Sequence, residues 1–219
     1  MNLRRLSSKS NLMIMILVGF LSLLLASCAA LPKGSILFQH TPLIPKGKIA
    51  ANVGMEPLQD KLPESDRNSL KTIENVSEQV SYLVCKDFQD AGLFKSIKLD
   101  YNPNEVDIVL KGELRSFYWR SGVTPTLFLP LIQIIHLLGV PAGKNTGKAE
   151  IYLELVNAKT GQTISSYDES SESRKSFTIY QWTSARTSGG EETSYALREV
   201  IDRLRDDILR DKGKIAVDK

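Results

Sequence analysis

An apolar run near the N-terminus divides the chain into a leader and a part that remains to fold. Three basic residues at positions 4–9 come first, residues 12–25 are almost wholly apolar, and small residues then lead into Cys28. Positive, apolar and small-residue regions in this order are typical of a secretory signal peptide. The apolar run is too short to be a comfortable permanent membrane span. We therefore expect residues 1–27 to be a signal peptide and the folded part to follow Cys28.

The sequence Leu25-Ala26-Ser27-Cys28 resembles the bacterial lipobox. In that motif the cysteine thiolate forms a thioether to diacylglycerol, and the small preceding side chains admit the peptidase. The resemblance implies that Cys28 carries fatty chains such as palmitate and holds the protein at a membrane, since two or three chains bind far more strongly than one. Ala29, in place of Asp, favours a periplasm-facing position at the outer membrane if the source is Gram-negative. An uncleaved anchor is the alternative, and it would also leave the domain outside the cytoplasm.

The charge of the mature part is balanced. The whole chain has 28 basic and 25 acidic residues, and residues 1–27 hold three of the basic ones and no acid. Removal of the signal peptide therefore leaves 25 basic and 25 acidic residues. This bulk charge gives no reason to expect a nucleic acid or an anionic surface as partner.

Hydrophobic periodicity predicts two amphipathic helices and at least five strands. Apolar residues recur at three- and four-residue steps in the helical segments and alternate with polar residues in the strands. The helices are expected at 69–91 and 192–211, and the strands at 48–54, 94–100, 106–119, 147–156 and 162–169, with a further candidate strand at 173–182. We expect the helices to cover one face of a mostly antiparallel sheet, which is a two-layer α+β fold.

The same patterns divide the mature chain into successive parts. These are a lipidated tether at 28–46, an α+β domain at 47–211 that contains an apolar insert at 121–146, and a frayed polar tail at 212–219. Residues 55–68 and the Ser- and Gly-rich residues 184–190 are expected to be loops. Gly112 interrupts the apolar face of its strand, which predicts a bulge or a close backbone approach at that residue.

The apolar insert has no clear period. Pro130 breaks any single helix near its start, and residues 131–138 as a helix would span about 12 Å, far less than a bilayer. Three interpretations stay open: the segment packs back on its own domain, it exposes an apolar surface that docks a protein or dips into the outer leaflet, or it lines a pocket for a lipid or another apolar ligand. The residues expected to make the partner or membrane contact are Leu127, Phe128, Leu129, Leu131, Ile132, Ile134, Ile135, Leu137 and Leu138.

Four aromatic residues are candidates for the neighbourhood of this insert, namely Tyr118, Trp119, Tyr180 and Trp182. Aromatic rings with a polar edge suit a membrane interface or a partner surface. Ordinary packing in the core is the interpretation that we favour for them.

No constellation of residues predicts a catalytic or metal site. His40 and His136 are the only histidines, and neither lies near carboxylates at ligand spacing. Nucleophile-elbow and phosphate-binding motifs are absent from the sequence. With Cys28 lipidated, Cys85 has no disulfide partner and is expected to be a buried apolar residue, a reactive thiol being the alternative. We therefore expect no enzyme, no catalytic residue, no metal and no cofactor.

A series of strands and turns looks like the small envelope lipoproteins of bacteria. The segments that carry the resemblance are 92–97 (GLFKSI), 106–117 (VDIVLKGELRSF) and 153–161 (LELVNAKTG), followed by a final amphipathic helix. The auxiliary lipoproteins of ABC-type lipid-transport systems are the most similar group, together with the penicillin-binding-protein activator and curli-secretion lipoproteins. The resemblance implies a non-enzymatic accessory that binds another envelope component. The alternative is a carrier or sensor of lipid or another apolar ligand in the periplasm.

Overall fold

The computed structural model describes residues 48–70, 73–125, 135–181 and 189–217. Within these ranges the strands are β1 Ile49–Met55, β2 Gln59–Asp60, β3 Phe94–Lys98, β4 Ile108–Val123, β5 Gly143–Asn157 and β6 Thr163–Phe177. The helices are α1 Glu64–Ser69, α2 Val76–Asp90, α3 Gly189–Arg210 and α4 Lys212–Val217, with short 3-10 helices at Pro103–Glu105 and Ile179–Gln181.

The strands form one mixed sheet in the order β3-β1-β4-β5-β6, and β2 also pairs with β4. β1 runs parallel to both β3 and β4, and β2 runs parallel to β4. The neighbours β4, β5 and β6 are antiparallel over almost their whole length. A parallel pair needs a crossover connection, and α2 lies in the crossover between β1 and β3. The α+β fold with helices on a sheet is confirmed, and its antiparallel character belongs to β4, β5 and β6.

The hydrophobic core lies on one face of this sheet. Alternate residues of β5 from Gly143 to Leu155 are buried, as expected for a strand with one covered face. α2 and α3 pack their apolar stripes against the sheet, so the strands and both helices share one cluster of buried side chains. The other face of β4, β5 and β6 carries mostly polar and charged side chains, among them Glu113, Lys148, Glu150, Tyr152 and Asp168.

The first long helix is shorter than its sequence pattern predicts. The prediction began the helix at residue 69, but α2 begins at Val76. Asn75, just before it, has a left-handed backbone with φ +52°, which no continuous α-helix can contain. The predicted loop at 55–68 holds the short strand β2 and the one-turn helix α1, so that prediction is wrong in part.

The long antiparallel strands run further than side-chain alternation indicates. The predicted strands at 162–169 and 173–182 are a single strand, β6, because β5 offers a continuous ladder of backbone hydrogen bonds through the intervening polar residues. β4 and β5 likewise extend to Val123 and back from Gly143, inside the predicted insert at 121–146.

Gly112 lies where two parts of the chain approach closely. A Cβ atom there would lie 2.5 Å from the carbonyl oxygen of Tyr152 and 2.7 Å from a methyl carbon of Leu58. The register shift of β4 lies between Leu114 and Ser116. The close approach is therefore confirmed at Gly112, and the irregularity of the strand occurs two residues later.

The C-terminal segment is not the frayed tail that its polar composition predicts. Residues Lys212–Val217 form α4, and Ile215 is only 1% exposed within the core cluster. One apolar side chain that fits a gap beside β1 is enough to dock this turn, and a polar composition does not reveal it.

Several predictions fall outside the described residues. These are the signal peptide, Cys28, the tether at 28–46 and the predicted loop at 184–190 up to residue 188. Among the helices that the structure describes, none has the length and apolar character needed to cross a membrane.

Candidate contact surface

The predicted contact residues fall partly within the described structure. Ile135, Leu137 and Leu138 are exposed, and the side chain of Leu138 is 81% exposed. The other predicted contact residues, Leu127, Phe128, Leu129, Leu131, Ile132 and Ile134, lie outside the described residues. Their contact role stays a prediction.

The ends of three long strands position these side chains. β4 leads into the apolar segment and β5 leads out of it, with Val123 paired to Gly143. Thr124 closes the base of the segment, because its backbone N–H and its hydroxyl both donate to the carbonyl oxygen of Ala142, at 2.9 and 2.7 Å. The N–H of Ala142 donates in turn to Phe177 at the end of β6. We call the part of the domain made by residues 119–125, 135–147 and 173–181 the insert end.

His136 ties the described part of the insert to itself. Its side chain is buried, and Nδ1 lies 3.3 Å from the carbonyl oxygen of Val140. The neighbouring Ile135, Leu137 and Leu138 face water, whereas the polar imidazole is enclosed. This reverses the usual distribution of apolar and polar side chains, and it indicates that the aliphatic residues of this segment do not serve the core of the domain.

Exposed apolar residues are concentrated at the insert end. Six of the eight large hydrophobic side chains that are exposed among the described residues lie there, and the other two are Tyr82 and Tyr195. The six are Val123, Ile135, Leu137, Leu138, Val140 and Tyr180. An exposed cluster of this kind on a soluble domain is typical of a binding surface.

Tyr180 connects the end of β6 to the insert. Its hydroxyl donates a 2.5 Å hydrogen bond to the carbonyl oxygen of Leu137, while the residue stays 69% exposed. Of the aromatic residues that the sequence associates with the insert, Tyr180 is therefore a neighbour of it and is not packed in the core. Trp182 lies outside the described residues. Val140 was not predicted as a contact residue, although its position next to the predicted segment is a signal that could have found it.

The insert end is basic as well as apolar. Its residues 119–125, 135–147 and 173–181 contain no Asp or Glu, and their basic residues are Arg120, Lys144, Arg174 and Lys175. The strand pairings bring three of these to neighbouring positions, since Arg120 and Arg174 flank Thr146, and Lys144 lies two residues from Thr146 on β5. The balanced charge of residues 28–219 therefore conceals a local excess of positive charge.

Most of these cations have only loose or exposed partners. The Arg120 guanidinium lies 3.9 Å from Asp66, and Lys175 lies 3.6 Å from Glu191. Arg174 has a firmer partner in Glu172, and the hydrogen bond from Arg174 lowers the pKa of that carboxyl. Lys144 makes no ion pair with the residues that the structure describes.

A buried carboxyl group lies beneath the insert end. Glu192, in the first turn of α3, is 1% exposed, and neither of its carboxyl oxygens has a hydrogen-bond partner in the described structure. Burial raises the pKa of this carboxyl, and the nearby backbone N–H of Glu192 and the charge of Lys175 offset part of that effect. Trp119 lies in the same region, because it pairs with Gly147 on β5 and Gly147 packs directly against Glu192 and Thr193. Its indole N–H is also buried and has no hydrogen-bond partner in the described structure.

The three acidic residues in the middle of β6 do not form a cluster. Asp168 faces the polar side of the sheet and is paired with Arg115 at 2.6 Å, and Glu172 is paired with Arg174. Glu169 lies on the helix-covered side beside Asp207, and burial raises the pKa of its carboxyl. Each of these carboxyl groups therefore has a structural setting of its own.

The remaining candidates for chemistry have ordinary surroundings. Cys85 is buried, and burial raises the pKa of its thiol, which disfavours the nucleophilic thiolate. Among residues 48–70, 73–125, 135–181 and 189–217, no group of three or more His, Cys, Asp or Glu side chains is arranged to hold a metal ion.

Neither a protein-family model nor a curated protein matches this sequence. Among solved structures, a Xanthomonas campestris protein of the DUF330 family is 12% identical, with a TM-score of 0.56. The match covers 84% of this chain and 97% of the Xanthomonas chain. A protein from Helicobacter pylori described as a neuraminyllactose-binding hemagglutinin homologue is 13% identical, with 82% and 100% coverage and a TM-score of 0.41. A lipoprotein from Neisseria meningitidis is 11% identical, with 73% and 99% coverage and a TM-score of 0.29.

These comparisons describe the fold only. The Xanthomonas structure shares the α+β architecture over most of both chains. Because one fold serves many functions, the function has to be argued from the surfaces and the sequence of this protein.

Proposed function

We propose that this chain is a lipid-anchored accessory protein of the bacterial envelope. In this proposal lipid on Cys28 holds a non-catalytic α+β domain at a membrane surface, where the domain binds another envelope component. The periplasmic side of the outer membrane is the proposed location in a Gram-negative source.

The observation that carries the proposal is the sequence at the start of the chain. A basic region, an apolar run and Leu25-Ala26-Ser27-Cys28 occur in the order that lipoprotein processing requires. The first described strand, β1, begins at Ile49, twenty-one residues after Cys28.

The domain supports a binding role more than a chemical one. Its core is closed by α2, α3 and the sheet without the exposed aliphatic residues of the insert. Many charged side chains of the described residues form ion pairs with one another, and the insert end offers an exposed apolar surface. A side chain that is costly to expose to water and is not used in the core is best explained by a contact outside the domain.

The anchor can be tested by metabolic labelling with a palmitate analogue and by fractionation of the cells that produce the protein. We expect label and membrane association for the unaltered protein and for Cys85→Ala, because Cys85 is buried in the domain. We expect both to be lost in Cys28→Ala. Label that persists in Cys28→Ala, or a native protein with the mass of the unprocessed chain, would contradict the proposal.

The envelope partner can be sought by photo-crosslinking in intact cells. A photoreactive amino acid would replace Leu137 at the insert end or Tyr152 on the polar face of the sheet, with Lys159 in the opposite hairpin turn as the control position. We expect a discrete protein adduct from at least one of the first two positions and none from residue 159. The absence of an adduct from both test positions contradicts an accessory role in a protein complex, and co-purified lipid in the Cys28→Ser protein supports the carrier function in its place.

A further inference from the structure

We propose that the insert end is a membrane-docking surface that rests on an anionic phospholipid bilayer. The inference rests on the proposed anchor in one respect, since the lipid on Cys28 brings the domain to a bilayer. It goes further in stating which part of the domain touches the lipid headgroups and which residues make the contact.

The exposed apolar side chains at this end are mostly aliphatic. All the exposed large aliphatic side chains of the described residues lie there, and Leu138 is the most exposed of them. Tyr180 stands beside them with its ring exposed and its hydroxyl bonded to the Leu137 carbonyl oxygen. Aliphatic side chains together with an amphipathic aromatic ring suit the boundary between acyl chains and headgroups.

The strand ends around that patch are basic. Arg120, Lys144, Arg174 and Lys175 lie on the five positions nearest the insert end in each of three adjacent strands, and those positions hold no acidic residue. Asp66, Glu172 and Glu191, at neighbouring positions, approach Arg120, Arg174 and Lys175, whereas Lys144 makes no ion pair with the described residues. Long basic side chains can lay their methylene stems on an apolar surface while their charges reach anionic headgroups. A basic rim around an apolar centre is the pattern of proteins that lie on anionic membranes.

The length of the chain between Cys28 and Lys48 leaves the orientation of the domain open. The residues between Cys28 and Lys48 can span roughly 60 Å when extended, which exceeds the length of the longest strand, about 50 Å for β4. The anchor therefore does not force a particular face toward the membrane. The surface chemistry of the domain has to select it, and the insert end is the part that combines exposed aliphatic residues with positive charge.

The test uses the full lipidated protein in vesicles of phosphatidylcholine with or without phosphatidylglycerol. In a Cys85→Ala background, Leu138→Cys carries an environment-sensitive fluorophore, and Lys159→Cys carries it in the control protein. Lipids with a nitroxide on the upper acyl chain quench a probe that enters the membrane. We expect quenching at residue 138 in phosphatidylglycerol vesicles and none at residue 159.

Charge reversal tests the electrostatic part. Lys144→Glu in the Leu138→Cys protein should lower the equilibrium constant for docking about fivefold or more. One basic residue near an anionic surface contributes roughly that factor to the constant. Lys98→Glu is the matched control, since Lys98 is an exposed strand lysine that pairs with Gly54 at the other end of the sheet. High salt should reduce quenching in the same way as Lys144→Glu.

The outcomes separate this proposal from the anchor. Flotation of the protein with the vesicles reports the lipid on Cys28, whereas quenching at residue 138 reports the surface. A floating protein whose residue 138 stays in water overturns the docking surface and leaves the anchor intact. Equal quenching with and without phosphatidylglycerol, or equal loss with Lys98→Glu, overturns the role of the basic residues. A protein adduct from residue 138 without lipid contact assigns this surface to a protein partner.

Discussion

Glu192 places a carboxyl group inside the domain, in the first turn of α3, where neither oxygen has a partner in the described structure. A helix N-terminus favours a negative charge, but burial opposes it. The raised pKa shows that burial has the larger effect here. The protonated form is therefore favoured in the folded protein more than in the unfolded chain.

Replacing Glu192 by Gln should stabilise the protein at neutral pH. Because the folded-state pKa is raised, the wild-type carboxyl contributes its full stabilisation below its ordinary pKa, near 4.5, and loses it as the pH rises through the folded value. Gln cannot ionise, so its advantage should be about 1 kcal/mol at pH 7 and should vanish near pH 4. Urea unfolding at several pH values measures the difference.

Glu191→Gln is the control for this prediction. Glu191 is exposed and pairs with Lys175, so its replacement should change the free energy of unfolding by less than about 0.5 kcal/mol at any pH. A Glu192→Gln protein that is less stable than the wild type at pH 7 would show that the carboxylate has a partner after all.

At the scale of secondary-structure elements, contact between α3 and β5 depends on the absence of a side chain. A Cβ atom at Gly147 would lie 2.2 Å from the backbone nitrogen of Thr193 and 2.3 Å from the carbonyl carbon of Glu192. Backbone atoms of a helix cannot yield as a flexible side chain can. The first turn of α3 therefore sits on the sheet only because residue 147 is glycine.

Gly147→Ala should lower the free energy of unfolding by about 2 kcal/mol or more, since added bulk at a closely packed contact forces backbone shifts. Gly190→Ala is the matched control within the first turn of α3, because no atom lies within 4 Å of the Cβ it would add. That variant should be neutral or stabilising by up to about 1 kcal/mol, given the higher helix propensity of Ala. Thermal unfolding followed by circular dichroism compares them, and equal stability of the two variants would refute the packing argument.

The small helix α4 contributes to the core through one residue. Ile215→Ala should cost about 2–4 kcal/mol, because a buried isoleucine side chain is removed and a cavity remains. Lys212→Ala in the same helix should change little, since Lys212 is exposed. If Ile215→Ala were as stable as Lys212→Ala in urea titrations, α4 would not be docked in solution.

On the scale of the whole molecule, α2 and α3 are joined by a buried ion pair. The Arg205 guanidinium donates to Asp87 at 3.1 Å, and both side chains are almost fully buried. Both helices also belong to the single core cluster that contains the strands. The domain should therefore unfold as one cooperative unit.

Asp87→Ala should lower the free energy of unfolding by about 3 kcal/mol, because it leaves the Arg205 charge buried without this partner. The unfolding transition should remain single, with far-ultraviolet circular dichroism and tyrosine fluorescence changing together in urea. Arg210→Ala, which removes an exposed pair with Asp207, should cost less than about 0.5 kcal/mol. Two separate transitions in Asp87→Ala would contradict the single cooperative core.

The limits of prediction from the sequence follow from particular elements. The α+β class, α3 and the strand cores of β4 and β5 follow from periodicity, because one covered face imposes it on the side chains. The sequence could not show that the segments 162–169 and 173–182 form one strand, β6. Their continuity depends on backbone hydrogen bonds from β5, which is a different part of the chain. The start of α2 was missed because the left-handed Asn75 leaves no trace in the apolar pattern.

For the candidate surface, the sequence by itself determined which residues are available: a sequence at Cys28 that resembles a lipobox, an aliphatic segment, and flanking segments that lack acidic residues. These are properties of neighbours along the chain. Only the tertiary structure decided that Ile135, Leu137 and Leu138 are exposed while His136 is buried, and that Arg120, Lys144 and Arg174 lie side by side. Burial and spatial charge density depend on strand pairing between residues up to about fifty positions apart, so no local pattern could contain them.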